Sequence, residues 1–228
     1  MDLQKNGVYL TDDGSHSIIS EQFNESYHSR HGALKESIHV FINAGLKAFP
    51  TKSELSILEV GLGTGLNAWL TNIECLKLNK TIYYTGIEPY PIPSEMAESL
   101  NYPSVLFDED IDTRKKCFLK LHETEWNETE IFDEKFHFTK VKTTIADFTS
   151  DRKFDIIYFD AFAPNAQPEL WTEEVFLKLY DLMAPGGIMV TYCAKGTVKR
   201  SLKAIGFTVE TLEGPPGKRE MTRAIKPK

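Results

Sequence analysis

From residue 55 onward, short apolar runs alternate with longer stretches in which apolar residues recur at helical spacing. Continuous short apolar runs are typical of parallel strands buried on both faces. The segments that predict strands are Leu55–Val60, Thr81–Ile87, Phe154–Phe159 and Ile188–Cys193, together with Phe136–Val141, which alternates like a strand. The patterns that predict helices are Leu66–Leu78, Pro91–Leu100, Thr113–Glu123, Thr172–Leu182 and Gly196–Ile205. This order predicts an α/β fold, with a mostly parallel sheet, right-handed crossovers and helices on both faces.

The N-terminal end departs from this alternation. Residues 7–23 place an Asp-Gly turn between two extended runs, which indicates a hairpin. Apolar residues at helical spacing then predict one helix over Gly32–Ala48. We therefore interpret residues 1–52 as a cap and residues 53–228 as the main domain, the two packed as one compact unit.

The C-terminal end and two connecting segments carry turn signals. Phe207–Leu212 and Arg219–Ile225 flank a Gly-Pro-Pro-Gly sequence and predict an antiparallel terminal hairpin. The polar residues 127–134 predict a loop. The Ala-Pro-Gly-Gly sequence at 184–187 is expected to stop the preceding helix before the strand that begins at Ile188.

Composition narrows the class of protein. The chain has 228 residues, of which 41% are hydrophobic and 26% charged, as in an ordinary globular protein. It contains no apolar run of membrane-spanning length, and its first residues lack the apolar segment of a signal peptide. The three cysteines, Cys75, Cys117 and Cys193, lack the spacing of a metal site. These features predict a cytoplasmic protein with free thiols and no metal.

Charge is unevenly distributed along the chain. The net charge of −7 argues against a general nucleic-acid binder that depends on phosphate contacts alone. From Thr191 onward, however, nine lysines and arginines occur with only three glutamates. This asymmetry is consistent with an anionic partner at the C-terminal end, and equally with chance clustering on a solvated surface.

The run into residue 60 leads directly into a glycine-rich turn. Glycines at 61, 63 and 65 follow the apolar strand, and Asn67 lies at the start of the next helix. Glycine permits a tight turn and the close approach of a ligand. The spacing G-x-G-x-G differs from the G-x-G-x-x-G dinucleotide fingerprint. With Glu59 two residues ahead of Gly61, the segment resembles motif I of class I S-adenosylmethionine-dependent methyltransferases.

Three carboxylates follow other predicted strands, where ligands bind in open α/β sheets. Glu88 is placed to accept hydrogen bonds from both ribose hydroxyls, and Asp147 to accept from the adenine amino group or merely to cap a turn. The amides of the glycine turn can hold the carboxylate of the methionine moiety. Asp160 ends the 154–159 strand, where a carboxylate can orient an amine nucleophile and accept its proton. Its alternative role is to be satisfied by backbone amides of the next turn.

With these residues assembled, the chain resembles the methyltransferase of the MnmC family, which acts on the wobble uridine of tRNA. The segments that carry the resemblance are 32–41 (GALKESIHVF), 59–67 (EVGLGTGLN), 158–164 (YFDAFAP), 168–172 (PELWT), 191–196 (TYCAKG) and 216–221 (PGKREM). Together they extend over nearly the whole chain. The Phe-Asp-Ala-Phe-Ala-Pro and Gly-Lys-Arg-Glu-Met segments are far more specific than a glycine turn.

The resemblance implies a Rossmann-like fold and transfer of methyl from S-adenosylmethionine to 5-aminomethyl-2-thiouridine in tRNA, giving 5-methylaminomethyl-2-thiouridine. It implies that Asp160 lies at the transfer site and that Lys218 and Arg219 face the tRNA, with Lys195 and Glu36 lining the pocket. The residues expected to bind the cofactor are Gly61, Gly63, Gly65, Glu59, Asn67, Glu88, Asp147 and Glu36. If tRNA is the substrate, basic residues should rim the opening of the same site.

Bifunctional members of that family continue into an FAD-dependent oxidase domain, whereas this sequence stops at Lys228. The expectation is therefore a stand-alone methyltransferase that uses no FAD and acts neither at a membrane nor with a metal. Two further hypotheses remain open: a methyltransferase for a small-molecule amine, and a non-catalytic module that retains the cofactor fold. A nicotinamide-dependent dehydrogenase is disfavoured by the glycine spacing and by Asp160.

Overall fold

Two β-sheets are present in the computed structural model, which describes residues 7–228. A small antiparallel sheet contains β1 (Val8–Leu10), β2 (His16–Ser20) and β3 (Glu25–Ser26). The strands of the eight-stranded central sheet are β4 (Glu54–Val60), β5 (Thr81–Ile87), β6 (Thr129–Phe132), β7 (Phe136–Val141), β8 (Phe154–Phe159), β9 (Met183–Thr191), β10 (Thr208–Glu213) and β11 (Glu220–Ile225). They lie side by side in the order β10-β11-β9-β8-β4-β5-β7-β6.

The central sheet is mostly parallel, as predicted. Strands β9, β8, β4, β5 and β7 pair in parallel, whereas β11 is antiparallel to both of its neighbours and β6 is antiparallel to β7. The terminal hairpin is confirmed: β10 and β11 pair from Thr208 with Ile225 to Glu213 with Glu220, across the predicted turn.

Helices cover both faces of the sheet. They are α1 (Ala33–Ser37), α2 (Leu66–Lys77), α3 (Ser94–Glu98), α4 (Tyr102–Leu106), α5 (Ile111–Glu123), α6 (Glu173–Leu182) and α7 (Gly196–Ile205). Side chains of α1, α2 and α5 share one apolar cluster with the sheet, and those of α6 and α7 share a second cluster on the opposite face. Successive residues of β4 enter different clusters, Ile57 the first and Leu58 the second, because side chains alternate along a strand.

The N-terminal segment packs against the first cluster. Its β1–β2 hairpin turns at Asp13-Gly14 as predicted, and the Asp13 carboxylate accepts from the backbone N–H groups of Ser15 and Lys35. The single helix predicted over 32–48 is wrong in detail, since α1 continues as a π-helix (Ile38–Asn43) and then a 3₁₀ turn (Leu46–Ala48). Apolar periodicity indicates a helix but not the widening of its turns. Residues 1–6 of the predicted cap lie outside the described residues.

Two segments with turn-like sequences are strands. Residues 129–132, within the predicted 127–134 loop, form the edge strand β6, because pairing with β7 outweighs their polar composition. The Ala-Pro-Gly-Gly sequence lies inside β9, which begins at Met183 instead of Ile188. The register of β9 against β8 shifts there, and a Cβ on Gly187 would lie 2.9–3.1 Å from three carbonyl oxygens. The glycine therefore marks a β-bulge with close backbone approach.

Cap and sheet share one apolar core. Phe41 of the π-helix packs 5.2 Å, centroid to centroid, from the ring of Tyr158 in β8. Val8 and Ile18 of the hairpin belong to the same cluster as Ile57 of the sheet. None of the helices within residues 7–228 combines the length and the apolar character needed to cross a membrane.

Candidate active site

The site lies where the chain changes direction across the sheet. From β4 the chain proceeds to β5 and β7 on one side, and β8 returns to the other side of β4. The loops after β4 and β8 diverge at this switch point, which is where open α/β sheets bind ligands. A cavity of about 1120 Å³ opens there, and it is bordered by the glycine turn, the end of β5, the end of β8 and the N-terminal segment.

The glycine turn is needed because two other segments approach it closely. A Cβ on Gly61, where φ is +88°, would lie 2.7 Å from the Asp160 carbonyl oxygen. A Cβ on Gly63, where φ is +50°, would lie 3.0 Å from the ring of Tyr27 in the N-terminal segment. Gly65 precedes α2 with φ +72° and faces His122, outside the cavity lining. The turn thus combines left-handed backbone with close packing.

Glu88 lies at the end of β5 and lines the cavity. Its carboxylate accepts from the backbone N–H of Gly63 at 2.9 Å and of Tyr90 at 2.8 Å. Burial raises the pKa of this carboxyl, and the two hydrogen bonds oppose the rise. The Gly61 N–H donates to the Ile87 carbonyl, so this amide and that of Gly63 are already engaged by the β5 end. Sequence reasoning had expected the turn amides to be free for a ligand carboxylate.

Asp160 follows β8 and borders the cavity, where the residue is half-buried. Its Oδ2 accepts from Asn67 Nδ2 at 2.8 Å. Burial raises the pKa of Asp160 to about 7, and the charge of Glu36 raises it as well, whereas Asn67 and Lys218 lower it. A carboxyl with such a pKa changes between acid and base near neutral pH, as a proton acceptor in catalysis must.

Glu59 lies behind the cavity wall. Its side chain is fully buried, and it accepts from Tyr84 Oη at 2.7 Å and from Asn67 Nδ2 at 2.9 Å. Burial raises the pKa of Glu59 well above its usual value. Both Asn67 and Glu59 are among the residues predicted to bind the cofactor. Asn67 borders the cavity, whereas Glu59 does not.

Glu36 and Lys218 link the two ends of the chain across the cavity. Lys218 Nζ lies 2.7 Å from Glu36 Oε1 and 3.8 Å from the centre of the Tyr192 ring. The other oxygen of Glu36 accepts from the Ser29 N–H at 2.8 Å. This arrangement places a salt bridge and a cation–π contact beside Asp160.

Besides Glu59 and Gly65, three further predicted site residues lie outside the cavity lining. Asp147 is exposed and accepts from Thr144 Oγ1 at 2.7 Å, which is the turn-capping alternative considered from the sequence. Lys195 is exposed and donates to Asn165 at 2.6 Å, and the Arg219 side chain is also exposed. Residues 143–146, immediately before Asp147, do line the cavity.

Aromatic side chains that sequence reasoning did not identify form part of the wall. Phe23, in the β2–β3 loop, packs 4.9 Å from Phe162 and 6.2 Å from Tyr90, centroid to centroid, and Tyr27 packs 5.0 Å from Phe162. Phe162 belongs to the YFDAFAP segment, so its position beside Asp160 was accessible from the sequence. Phe23 and Tyr27 had no local signal, because only tertiary packing brings the N-terminal segment over the glycine turn.

The cavity is strongly acidic. Two basic side chains, Arg30 and Lys218, border it. The acidic ones are Glu21, Glu25, Glu36, Glu88, Glu95, Asp160 and Glu169. The cavity lining therefore carries few of the basic residues that are expected around its opening for a tRNA substrate. Across residues 7–228, no group of three or more His, Cys, Asp or Glu side chains is arranged to hold a metal ion.

A family model described as S-adenosyl-L-methionine-dependent methyltransferase matches residues 112–227, just over half of the chain. The chain belongs to that methyltransferase family. S-adenosylmethionine is accordingly its cofactor, and the class I fold predicted from the sequence is confirmed. The matched residues include Asp160 and Lys218 but not the glycine turn.

Curated relatives of this methyltransferase carry the name tRNA 5-methylaminomethyl-2-thiouridine biosynthesis bifunctional protein MnmC. One from Marinomonas sp. is 31% identical over 214 residues, covering 89% of this chain and 31% of the relative. Another, from Actinobacillus pleuropneumoniae, is 28% identical over 245 residues, covering 96% and 35%. The chain thus spans about a third of the length of these relatives. They agree with the resemblance drawn from the sequence.

A solved structure shows the same fold. The crystal structure of MnmC2 from Aquifex aeolicus superposes with a TM-score of 0.79 at 23% identity, covering 98% of this chain and 70% of the other.

The residues of the present cavity fit the cofactor. A Cβ on Gly61 would close the gap between the β4 and β8 loops, and the cavity volume exceeds what one nucleoside-sized ligand needs.

Proposed function

We propose that this methyltransferase acts on 5-aminomethyl-2-thiouridine at the wobble position of tRNA, giving 5-methylaminomethyl-2-thiouridine, and that it does so in the cytoplasm. Support comes from the names of the curated relatives, which match almost all of this chain. The observation that carries the proposal is Asp160, a carboxylate with a pKa near 7 at the switch point of a methyltransferase fold.

The chemistry requires a neutral amine and a place for one proton. The cofactor supplies an electrophilic methyl group. Asp160 would first take one proton from the entering ammonium ion, and the lone pair so freed would form the new N–C bond as the S–C bond breaks with its electrons going to sulfur; the product would leave as a secondary ammonium ion. Asp160 accepts a hydrogen bond from the amine, orients its lone pair and takes the proton. Positioning of this kind supplies a large part of the rate.

The charge of the acidic cavity is complementary to the positive charge of both reactants. An aminomethyl group enters as an ammonium ion and the cofactor carries a sulfonium, so a lining with seven carboxyl groups and two basic groups attracts both. The phosphates of tRNA would be repelled from the same lining. We therefore assign phosphate contacts to exposed basic residues beyond the opening, namely Lys195 and Arg219, with Lys218 at its edge.

We propose which residues of the cavity contact each part of the cofactor, according to where each residue lies along the cavity wall. Glu88, at the end of β5, holds the ribose hydroxyls, and Gly61 and Gly63 leave room for the methionine part. Glu36 borders the methyl-transfer end together with Asp160. Asp147 approaches adenine only if its turn with Thr144 rearranges, and residues 143–146 form the nearer wall.

The test is methyl transfer from labelled S-adenosylmethionine to an anticodon stem-loop that carries 5-aminomethyl-2-thiouridine. A matched stem-loop with unmodified uridine is the control, and the free modified nucleoside is the third substrate. We expect transfer to the first stem-loop alone at an appreciable rate. Equal rates on stem-loop and nucleoside would contradict a tRNA substrate.

The same assay tests the role of Asp160. Asp160→Ala should reduce turnover by at least about 100-fold, the usual contribution of a positioned acid or base. Cofactor affinity, measured by calorimetry, should change little, because Glu88 and the glycine turn remain intact. Full activity in Asp160→Ala would remove the proposed mechanism.

A second candidate function is methylation of a small-molecule amine. The acidic lining favours it, because it would accept any ammonium group of suitable size and offers nothing specific to phosphate. Free 5-aminomethyl-2-thiouridine and simple primary amines distinguish the two candidates: a small-amine enzyme turns these over as fast as the stem-loop.

A further inference from the structure

A buried hydrogen-bond network reaches the Asp160 carboxylate from behind the cavity. Asn67, in the first turn of α2, donates from Nδ2 to Asp160 Oδ2 at 2.8 Å and to Glu59 Oε1 at 2.9 Å. Tyr84 Oη donates to the other oxygen of Glu59 at 2.7 Å. The network thus joins β5, β4, α2 and the end of β8. Among residues 7–228, no other group donates a hydrogen bond to the Asp160 carboxylate.

The orientation of the Asn67 amide follows from its two acceptors. An amide nitrogen has two N–H groups, and here each points at a carboxylate oxygen. Turning the amide over would place its Oδ1 against Asp160 Oδ2, where two oxygens repel one another when Asp160 is ionised. Glu59 accepts the second bond from the amide nitrogen and Tyr84 donates to Glu59, so both support the orientation that Asn67 presents to Asp160.

Packing alone does not account for this amide. Asn67 is 3% exposed, and its Oδ1 is buried without a hydrogen-bond partner in the described chain. This oxygen makes no hydrogen bond within the described chain, so the hydrogen bonds that the Asn67 amide makes are the two that its nitrogen donates. The benefit of asparagine here must lie in the two bonds that its nitrogen donates.

We propose that Asn67 is a positioning residue that holds the Asp160 carboxylate in place for the acceptor amine, and that Glu59 and Tyr84 hold Asn67 in the orientation this requires. The proposal rests on the role assigned to Asp160 above. It departs from the sequence prediction that Glu59 and Asn67 contact the cofactor. One oxygen of Asp160 is fixed by Asn67, which leaves the other for the amine.

The electrostatics agree with this geometry. A hydrogen bond donated to a carboxylate favours its ionised form, and the bond from Asn67 is one of the two influences that lower the pKa of Asp160. Loss of the bond leaves only the charge of Lys218 to oppose burial and the charge of Glu36. Both the orientation of Asp160 and its availability as a proton acceptor therefore depend on Asn67.

The test compares Asn67→Leu with Asn72→Leu. Asn72 is a matched control, because it is a buried asparagine on the same helix, its Oδ1 also lacks a partner within residues 7–228, and its nitrogen donates to Cys117 instead of to the site. The direct readout is the titration of the Asp160 carboxyl carbon by NMR in protein labelled with 13C-aspartate. Asp160→Asn identifies the signal by its disappearance.

We expect Asn67→Leu to move the titration of Asp160 upward by about one pH unit and to lower kcat about 10- to 100-fold. The affinity for S-adenosylmethionine should change by less than about threefold, since Asn67 Nδ2 is engaged by two protein carboxylates and the rest of the network, Glu59 and Tyr84, lies outside the cavity lining. Asn72→Leu should leave all three quantities unchanged. Tyr84→Phe removes only a remote hydroxyl and should move the titration in the same direction by a smaller amount, which keeps the test available if Asn67→Leu does not fold.

Two results would overturn the inference. One is an unchanged Asp160 titration in both Asn67→Leu and Tyr84→Phe. The other is a loss of cofactor affinity of about tenfold or more with normal kcat at saturation, which would make Asn67 a cofactor ligand as the sequence predicted. Titration and cofactor binding need no acceptor substrate. A shifted titration in an enzyme that does not methylate the stem-loop would therefore support the network while contradicting the proposed function.

Discussion

At the scale of single residues, Asp160 is set between opposing charges. The charge of Glu36, which is paired with Lys218, raises the pKa of Asp160, and the charge of Lys218 lowers it. Burial is the largest influence and places the pKa near 7. The ionised form is the one that can accept a proton, so activity should be lost as the pH falls through about 7 and recovered as it rises.

Neutralising the two neighbours should move this pH dependence in opposite directions. Glu36→Gln removes a negative charge and should shift the midpoint of the rate profile downward, whereas Lys218→Met should shift it upward, each by about 0.5–1 pH unit. The measurement is the single-turnover rate of methyl transfer at a series of pH values. A midpoint that is the same in both variants and in the parent would show that the substrate amine, and not Asp160, is titrating.

Local motifs predicted residues that lie at strand ends but not those delivered by distant segments. Gly61, Glu88 and Asp160 could be placed at one edge of the sheet because each follows an apolar run. The aromatic ring of Phe23 could not, because its loop reaches the site through packing of the N-terminal segment. The sequence also did not reveal that Glu59 is buried outside the cavity lining. An acidic residue inside an apolar run does not show which hydrogen-bond partners it will have.

At the scale of elements, the inner strands of the sheet were predicted best. The bounds of β5, β7 and β8 match the predictions, because β8 is an apolar run buried along its whole length and β5 and β7 alternate between buried and half-buried residues. Strand β6 was missed because an edge strand needs apolar residues on one face at most. The beginning of β9 was missed because a Pro-Gly-Gly sequence reads as a turn, whereas here it forms a bulge against β8.

The bulge gives a test at this scale. Gly187→Ala should lower the free energy of unfolding by about 2–3 kcal/mol, because its Cβ would meet backbone oxygens that cannot rotate away. Gly196→Ala is the control, since a Cβ there meets only the flexible end of Arg200 and alanine favours the helix α7. Urea unfolding measures both. Equal stability in the two variants would show that β9 does not need the close approach at Gly187.

At the scale of the whole molecule, negative and positive charge are separated. The cavity is bordered mainly by carboxyl groups, whereas most charged residues after Thr191 are basic. Along α7 and its N-cap, Lys195, Lys199 and Lys203 recur every four residues and so share one helical face. Lys199 bonds to Glu220 of β11, so this face adjoins the terminal hairpin that carries Arg219. This basic face is the surface that we propose for the phosphates of tRNA, and the cavity is the site that we propose for the aminomethyl base.

This separation predicts how binding depends on salt. Replacing both Lys195 and Arg219 by glutamine should weaken stem-loop binding and lower the slope of log Kd against log salt by about one for each phosphate that the protein no longer neutralises. The control replaces Lys115 and Lys116, two exposed lysines of α5, and should leave both the affinity and the slope unchanged. Filter binding over a range of salt concentrations measures the slope, and cofactor affinity is followed in parallel. If the slope falls as much in the α5 variant as in the Lys195 and Arg219 variant, the attraction is a property of overall charge and the C-terminal face is not the tRNA surface.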